Sequence, residues 1–210
     1  MLEQIKEMIQ KGKAKDVRAL VSEALESGIT PNDILNQAMI AAMSEVGTRF
    51  KNNEIYVPEV LIAARAMNAG LEVLRPALTA AGVEPIGKAV ICTVKGDLHD
   101  IGKNLVKMML EGTGIACVDL GVDVPPEKVV RAVQENNAQL VCLSSLLTTT
   151  MVSQKDVIDA LEKAGLRSRV KVMVGGAPVT QAFADSIGAD AYTPDAASAA
   201  EVAKSFFVHA

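Results

Sequence analysis

Residues 88–121, "KAVICTVKGDLHDIGKNLVKMMLEGTGIACVDLG", decide the fold. The first seven form a short β-branched run, and 115–121 form another. Between them apolar residues recur at helical spacing, over 100–112. Strands that are apolar throughout are those buried on both faces, as in a parallel sheet whose connections are helices. The alternation continues downstream. "AQLVCLSS" (138–145), "VKVMVGG" (170–176) and a short "ADAY" (189–192) read as strands, and 125–136, 152–164, 178–187 and 195–207 as helices. The pattern predicts a doubly wound, five-stranded parallel sheet of the flavodoxin-like or Rossmann-like kind, an α/β fold. Ligands of such sheets sit beyond the carboxyl ends of the strands. The candidate site is therefore built from the turns "KGDLHD", "GVDVPP", "SSLLTTT", "GGAPV" and "YTPDA".

Upstream the period is helical throughout. Leu2, Ile5, Met8 and Ile9 share one face; Val17, Leu20, Val21, Ala24 and Leu25 form a second stripe, ended by Gly28. "TPND" restarts a helix, with Thr30 as cap and Pro31 at the first position. A further helix follows "FKNNEIYVP". The expectation is an N-terminal four-helix bundle over 1–86, a flexible linker within "RPALTAAGVEPIGK" (75–88), and the sheet domain over 87–210.

Composition narrows the functions. The chain has 210 residues, half of them apolar, and a net charge of −4. No basic block or basic–aromatic pattern suggests nucleic acid. No apolar run is long enough for a bilayer, and the charged start lacks a secretory core, so membrane partners are not expected and a cytoplasmic setting is. Cys92, Cys117 and Cys142 lie inside apolar runs, as buried thiols of a reducing compartment do.

The turns exclude several chemistries. "GDLHDIGKN" has five residues between its glycines and Asn104 after Lys103, so it is not a P-loop. A receiver domain wants an aspartate where the third strand ends in Ser144-Ser145. A flavin site would use the same turns and usually stacks its ring on aromatics; these turns offer only Tyr192, which leaves a flavin as a minor alternative. His99 remains, with Asp97 two residues before it. A carboxylate on one ring nitrogen fixes the tautomer and raises the basicity of the other, as a metal-ligating histidine requires. One histidine and two aspartates are too few for bare zinc, but a metal held by a macrocycle needs only one axial ligand. Gly102 offers bare backbone beside it. Taken singly, D-x-H also reads as helix capping, Ser144, Thr148 and Thr150 as ordinary loop hydroxyls, and Gly175-Gly176 as a plain turn. That all of them fall on the carboxyl-end turns of one sheet is what favours a site.

These residues carry a resemblance. "D-L-H-D-I-G" (97–102) fits D-x-H-x-x-G, the cobalamin-binding signature, and "S-S-L-L-T" (144–148) and "G-G-A" (175–177) fit its second and third segments. "VGTRFKNNEIYVPEVLIAARAM" resembles the helical cap that precedes this domain in methionine synthase and in corrinoid proteins of methyltransferase systems. The resemblance implies a cobalamin cofactor cycling between Co(I) and methyl-Co(III), its nucleotide tail in a slot of the sheet domain. His99 would be the lower axial ligand and Asp97 its partner, within a loop comprising Gly96, Asp97, Leu98, His99, Asp100, Ile101 and Gly102. Ser144 and Thr148 would meet the tail, Leu146 would also contact the cofactor, Thr150 would continue the His–Asp relay, Gly175 and Gly176 would line the slot, and Ala196 would touch the tail. Phe50 and Val57 correspond to positions covering the upper cobalt face; the family's leucine is valine at 57. The implied function is a methyl carrier rather than a complete enzyme. The length leaves no room for methionine synthase's other domains or for a mutase barrel. Its implied partners are a substrate-specific methyltransferase, a second methyltransferase acting on tetrahydrofolate or a thiol, and a reductive activator. The alternative is a corrinoid-binding sensor or store without methyl transfer.

Overall fold

The structure, a computed structural model, describes residues 1–208. They cluster into two compact units, Met1–Pro85 with Gly112–Gly114, and Ile86–Glu111 with the residues from Ile115 on.

The first unit is helical. α1 (Leu2–Gln10) buries Ile5 and Ile9, and α2 (Ala14–Glu26) buries Val17, Val21 and Ala24, the stripes that the spacing predicts. The Thr30 side chain accepts from the Asp33 amide at 3.1 Å, and Pro31 opens the next helix. α3 (Pro31–Asp33), a π-helical segment (Ile34–Ile40) and α4 (Ala41–Lys51) follow one another without a break. α5 (Val57–Ala80) opens with the Glu59 carboxylate accepting from the Tyr56 amide at 3.1 Å. At Gly70 α5 lies close against its neighbours: a Cβ there would stand 2.8 Å from Val17 Cγ1 and 2.9 Å from Met39 Cε.

The linker is shorter than the sequence suggests. α5 continues through Pro76 to Ala80. Proline removes one helical N–H, freeing the carbonyl four residues back. Here Glu72 and Pro76 both lie on the exposed face, where water can serve that carbonyl. Gly87 is also not linker but the first residue of the first strand.

The second unit is an all-parallel five-stranded sheet in the order β2-β1-β3-β4-β5: β1 (Gly87–Thr93), β2 (Ile115–Asp119), β3 (Leu140–Ser144), β4 (Lys171–Gly175) and β5 (Ala191–Tyr192). The helices are α6 (Ile101–Gly112), α7 (Pro126–Asn136), α8 (Val152–Lys163), α9 (Gln181–Ile187) and α10 (Ala196–Val208). α9 begins later than its periodicity suggests because Thr180 caps it, accepting from the Phe183 amide at 3.2 Å. Side chains alternate across the sheet. Val90, Cys92, Val141, Leu143, Val172 and Val174 face a core shared with α7, α8 and α9. Ala89, Ile91, Leu140, Cys142 and Met173 face a smaller one containing Leu110 of α6 and Ala199 and Ala203 of α10. The order reverses between β1 and β3, so the crevice beyond their carboxyl ends is where this topology places a ligand. Among the described residues, no helix is long and apolar enough to cross a membrane.

Candidate corrinoid site

The loop after β1 and the loop after β3 meet at one carboxylate. Asp97 is fully buried. Its Oδ1 accepts from the His99 backbone amide at 3.1 Å and lies 2.7 Å from His99 Nδ1. Its Oδ2 accepts from the Leu146 amide at 2.8 Å and from Thr150 Oγ1 at 2.7 Å. A carboxylate only accepts, so Nδ1 carries the ring proton and Nε2 keeps its lone pair. Nε2 has no partner among the described residues, and half of the His99 side chain is exposed.

The relay runs one residue further than Thr150. Ser145 Oγ lies 2.8 Å from Thr150 Oγ1, and Ser145 is wholly buried. Thr150 has one hydroxyl proton. With that proton on Asp97, Ser145 must be the donor to Thr150. The ordered chain is Ser145 to Thr150 to Asp97, with His99 donating to Asp97 from the other side.

The sheet register aligns a second set of positions. Thr93 pairs with Ser144, and Ser144 with Gly175, so three strand ends stand side by side. A Cβ on Gly175 would have Thr193 O at 3.6 Å as its nearest neighbour, and one on Gly102 would meet nothing within 4 Å. Gly176 is different. At φ +126°, a Cβ there would stand 1.7 Å from Ser145 O, so the β3 and β4 turns pass too closely for any side chain. Apolar side chains are exposed on these two loops. Leu98 and Ile101, on the His99 loop, are 71% and 74% exposed, and Leu146 and Leu147 are exposed on the loop after β3.

Known proteins resemble this chain in sequence and fold. Residues 87–203 match the B12 binding domain family, and residues 1–75 match a second B12 binding domain family. The chain is 43% identical over 206 residues to dimethylamine corrinoid protein 2 of Methanosarcina acetivorans, covering 97% of this chain and 94% of that one. The chain belongs to the corrinoid proteins of methyltransferase systems. It is also 45% identical over 175 residues to trimethylamine corrinoid protein 1 of Methanosarcina mazei, across 82% of this chain and 81% of that one. Among solved structures, the methanol:cobalamin methyltransferase complex of Methanosarcina barkeri matches with a TM-score of 0.88 and 32% identity, over 98% of this chain and 79% of that one. A cobalamin-binding protein from Desulfitobacterium hafniense DCB-2 matches with a TM-score of 0.81 and 30% identity, over 98% of both chains.

The residues of this corrinoid protein fit its cofactor. Among the described residues, no group of three or more His, Cys, Asp or Glu could hold a bare metal ion. One imidazole with a free Nε2 is the donor set suited to a metal that a macrocycle already holds. The exposed leucines and isoleucine give a broad ring an apolar surface to cover, and Gly102 and Gly175 leave bare backbone where a bulky appendage can lie close.

Electrostatics keep the relay charged. Burial alone would raise the Asp97 carboxyl. The hydrogen bonds from Thr150, the Leu146 and His99 amides and the His99 ring outweigh it, and they hold the group well below the usual carboxylate range. A second ion pair joins a buried lysine of α6 to a half-buried aspartate of the neighbouring strand. Lys103 Nζ, 3% exposed, sits 2.6 and 2.7 Å from the two Asp119 oxygens and 2.8 Å from Asn104 Oδ1. Burial would raise Asp119 too, but the Lys103 bond, the Gly121 amide and the charges of Lys103 and Lys107 lower it. This pair ties the first turn of α6 to the end of β2.

The structure gathers Gly96, Asp97, His99, Leu146 and Thr150 into one hydrogen-bonded cluster. Leu98, Asp100, Ile101 and Gly102 line its exposed side. Ser144 ends β3 half-buried, and Ala196 opens α10 buried. Thr148 is exposed and carries no side-chain hydrogen bond among the described residues. Phe50 lies in the last turn of α4 and Val57 opens α5, both half-buried in the helical unit. Sequence reasoning missed Thr93, Ser145, Asp123 and the Lys103–Asp119 pair. Thr93 did leave a signal, as the one hydroxyl at the end of the apolar run Ala89–Cys92.

Proposed function

We propose that this protein carries a methyl group taken from a methylated amine, with His99 as the lower axial ligand of its corrinoid. The observation carrying the ligand assignment is the Asp97 carboxylate, which commits Nδ1 of His99 and leaves Nε2 free amid exposed apolar side chains. The amine class is supported by the relatives, whose names specify dimethylamine and trimethylamine. When bound, the corrinoid supplies a cobalt centre that accepts a methyl group from one partner and yields it to a nucleophile presented by another.

The chain's own residues do the rest. His99 would hold the metal through Nε2. Asp97 orients the imidazole and stabilises positive charge on it, and Thr150 and Ser145 keep that carboxylate hydrogen-bonded when the ring moves. Ser144, Thr148, Gly175, Gly176 and Ala196 are assigned to the nucleotide tail. Phe50 and Val57 are assigned to the cover of the upper face on the resemblance alone. We further assign residues 1–86 as a cap domain and 87–210 as the corrinoid domain, a substrate-specific methyltransferase and a second methyltransferase as partners, and a reductive activator that restores the lowest cobalt state. The acceptor is a thiol or tetrahydrofolate. A reducing, cytoplasmic setting is supported by the three unpaired thiols. Burial pushes Cys92 and Cys117 up to about 12, so both stay protonated and inert.

The test is reconstitution. Corrinoid-loaded protein is mixed with methyltransferases specific for dimethylamine, trimethylamine or methanol, and the corrinoid spectrum is followed. Donor-dependent methylation with an amine enzyme is the expected result. Methylation by the methanol enzyme alone overturns the amine assignment, and none with any enzyme overturns the carrier reading.

A further inference from the structure

The arc from Asp97 to His99 is pinned at both ends by residues outside it. At its start, Asp123 in the turn after β2 straddles the loop backbone. Its Oδ1 accepts from the Gly96 amide at 2.7 Å, and its own amide donates to Asp97 O at 2.9 Å. Asp123 adopts a left-handed φ of 52°, which aspartate tolerates better than most side chains. At the arc's end, Thr93 Oγ1 donates to His99 O at 2.8 Å. Thr93 is fully buried as the last residue of β1. The arc therefore cannot rotate about its length without breaking one anchor or the other. Asp97 governs the ring's tautomer and tilt, whereas these anchors govern the height of the whole arc above the sheet. A metal–nitrogen bond tolerates errors of only a few tenths of an ångström, so ligand height decides whether the bond forms.

We propose that Thr93 and Asp123 are positioning residues that hold the His99 arc at the height required for axial ligation. The proposal rests on His99 being the ligand. Neither residue contacts the ring. Their effect is on the balance between protein with histidine on cobalt and protein that holds the corrinoid with histidine off.

Two pairs of variants test it. Thr93→Val removes the donor and keeps the shape, and Thr93→Ser restores the donor. Asp123→Gly removes the acceptor and keeps the left-handed backbone accessible, and Asp123→Asn restores the acceptor. Each protein is loaded with Co(II) cobalamin, and the on and off forms are quantified by electron paramagnetic resonance, with and without ¹⁵N-histidine. One net hydrogen bond corresponds to roughly fivefold in an equilibrium. Thr93→Val and Asp123→Gly are each expected to lower the on:off ratio about fivefold, and the conservative variants to lie within about twofold of wild type. A second readout needs no cofactor: exchange of the His99 amide, which donates to Asp97, should accelerate about fivefold in the two disruptive variants. Wild-type protein that responds to the label, with ratios and exchange unchanged in both disruptive variants, overturns the positioning role alone. Wild-type protein that ignores the label overturns the ligand assignment and this proposal with it. If a disruptive variant takes up no corrinoid, the exchange readout decides: faster exchange supports the proposal and unchanged exchange overturns it.

Discussion

Replacing Thr150 by valine probes the relay with almost no change of shape. The Thr150 hydroxyl donates to a buried, ionised carboxylate at 2.7 Å and receives the Ser145 hydroxyl at 2.8 Å. Valine leaves Asp97 Oδ2 with the Leu146 amide as its one donor. It leaves Ser145 with a 3.3 Å contact to Leu147 O. Losing a hydrogen bond to a charged group costs about 1.5–3 kcal/mol. Valine buries one methyl more, worth about 0.8 kcal/mol, but the Ser145 hydroxyl loses its 2.8 Å partner, which costs about as much, so packing offsets little of that. Thr150→Val is expected to destabilise the sheet unit by about 2–3 kcal/mol. Thr150→Ser keeps the hydroxyl and loses one methyl, which is about 1 kcal/mol. If the cost is the Asp97 bond, it must shrink once the charge is gone: in an Asp97→Asn background the same substitution should cost at least about 1 kcal/mol less. The assay is urea unfolding followed by far-ultraviolet circular dichroism, since the chain has no tryptophan. A Thr150→Val cost below about 0.5 kcal/mol, or a coupling indistinguishable from zero, refutes a charged carboxylate held by this hydroxyl.

Acid should weaken the fold through Asp97. Its folded pKa lies below the unfolded value, so its contribution is complete above about pH 4 and is lost as pH falls from there. Melting temperature against pH should therefore fall less steeply below pH 4 in Asp97→Asn than in wild type. Gly176→Ala, whose Cβ would lie 1.7 Å from Ser145 O, should cost more than about 4 kcal/mol, whereas Gly28→Ala, at φ +83° in open space, should cost about 1 kcal/mol. Gly102→Leu should separate binding from folding. Nothing lies within 4 Å of the new Cβ, so the corrinoid-free protein should melt no lower than wild type, while corrinoid uptake in an equilibrium titration falls at least tenfold.

The sheet was legible because parallel strands buried on both faces must be apolar along their buried length, as 89–92 and 140–143 are, while their helices keep a polar face. The sequence pair Asp97 and His99 was legible for a similar reason: the two residues lie within one turn, so their contact is local. Thr150 was reachable only through the resemblance, since nothing in "LLTTT" says which threonine turns inward. The role of Asp123 and the partner of Thr93 were not legible. Their bonds go to backbone atoms of a loop whose path depends on how β1 and β2 are paired, and strand pairing is a long-range property. Pro76 misled for a physical reason too. Proline breaks a helix only when the carbonyl it orphans has no alternative partner, and exposure at Glu72 supplies one.

The central claim is that Nε2 of His99 reaches cobalt. The chain has two histidines, His99 and His209, the latter outside the described residues. The most direct measurement is the Co(II) cobalamin spectrum by electron paramagnetic resonance of wild type, His99→Ala and His209→Ala, each with ordinary and ¹⁵N-labelled histidine. Ligation by His99 predicts a nitrogen splitting that changes with the label in wild type and His209→Ala and is absent from His99→Ala. A splitting that ignores the label, or that survives in His99→Ala, contradicts it.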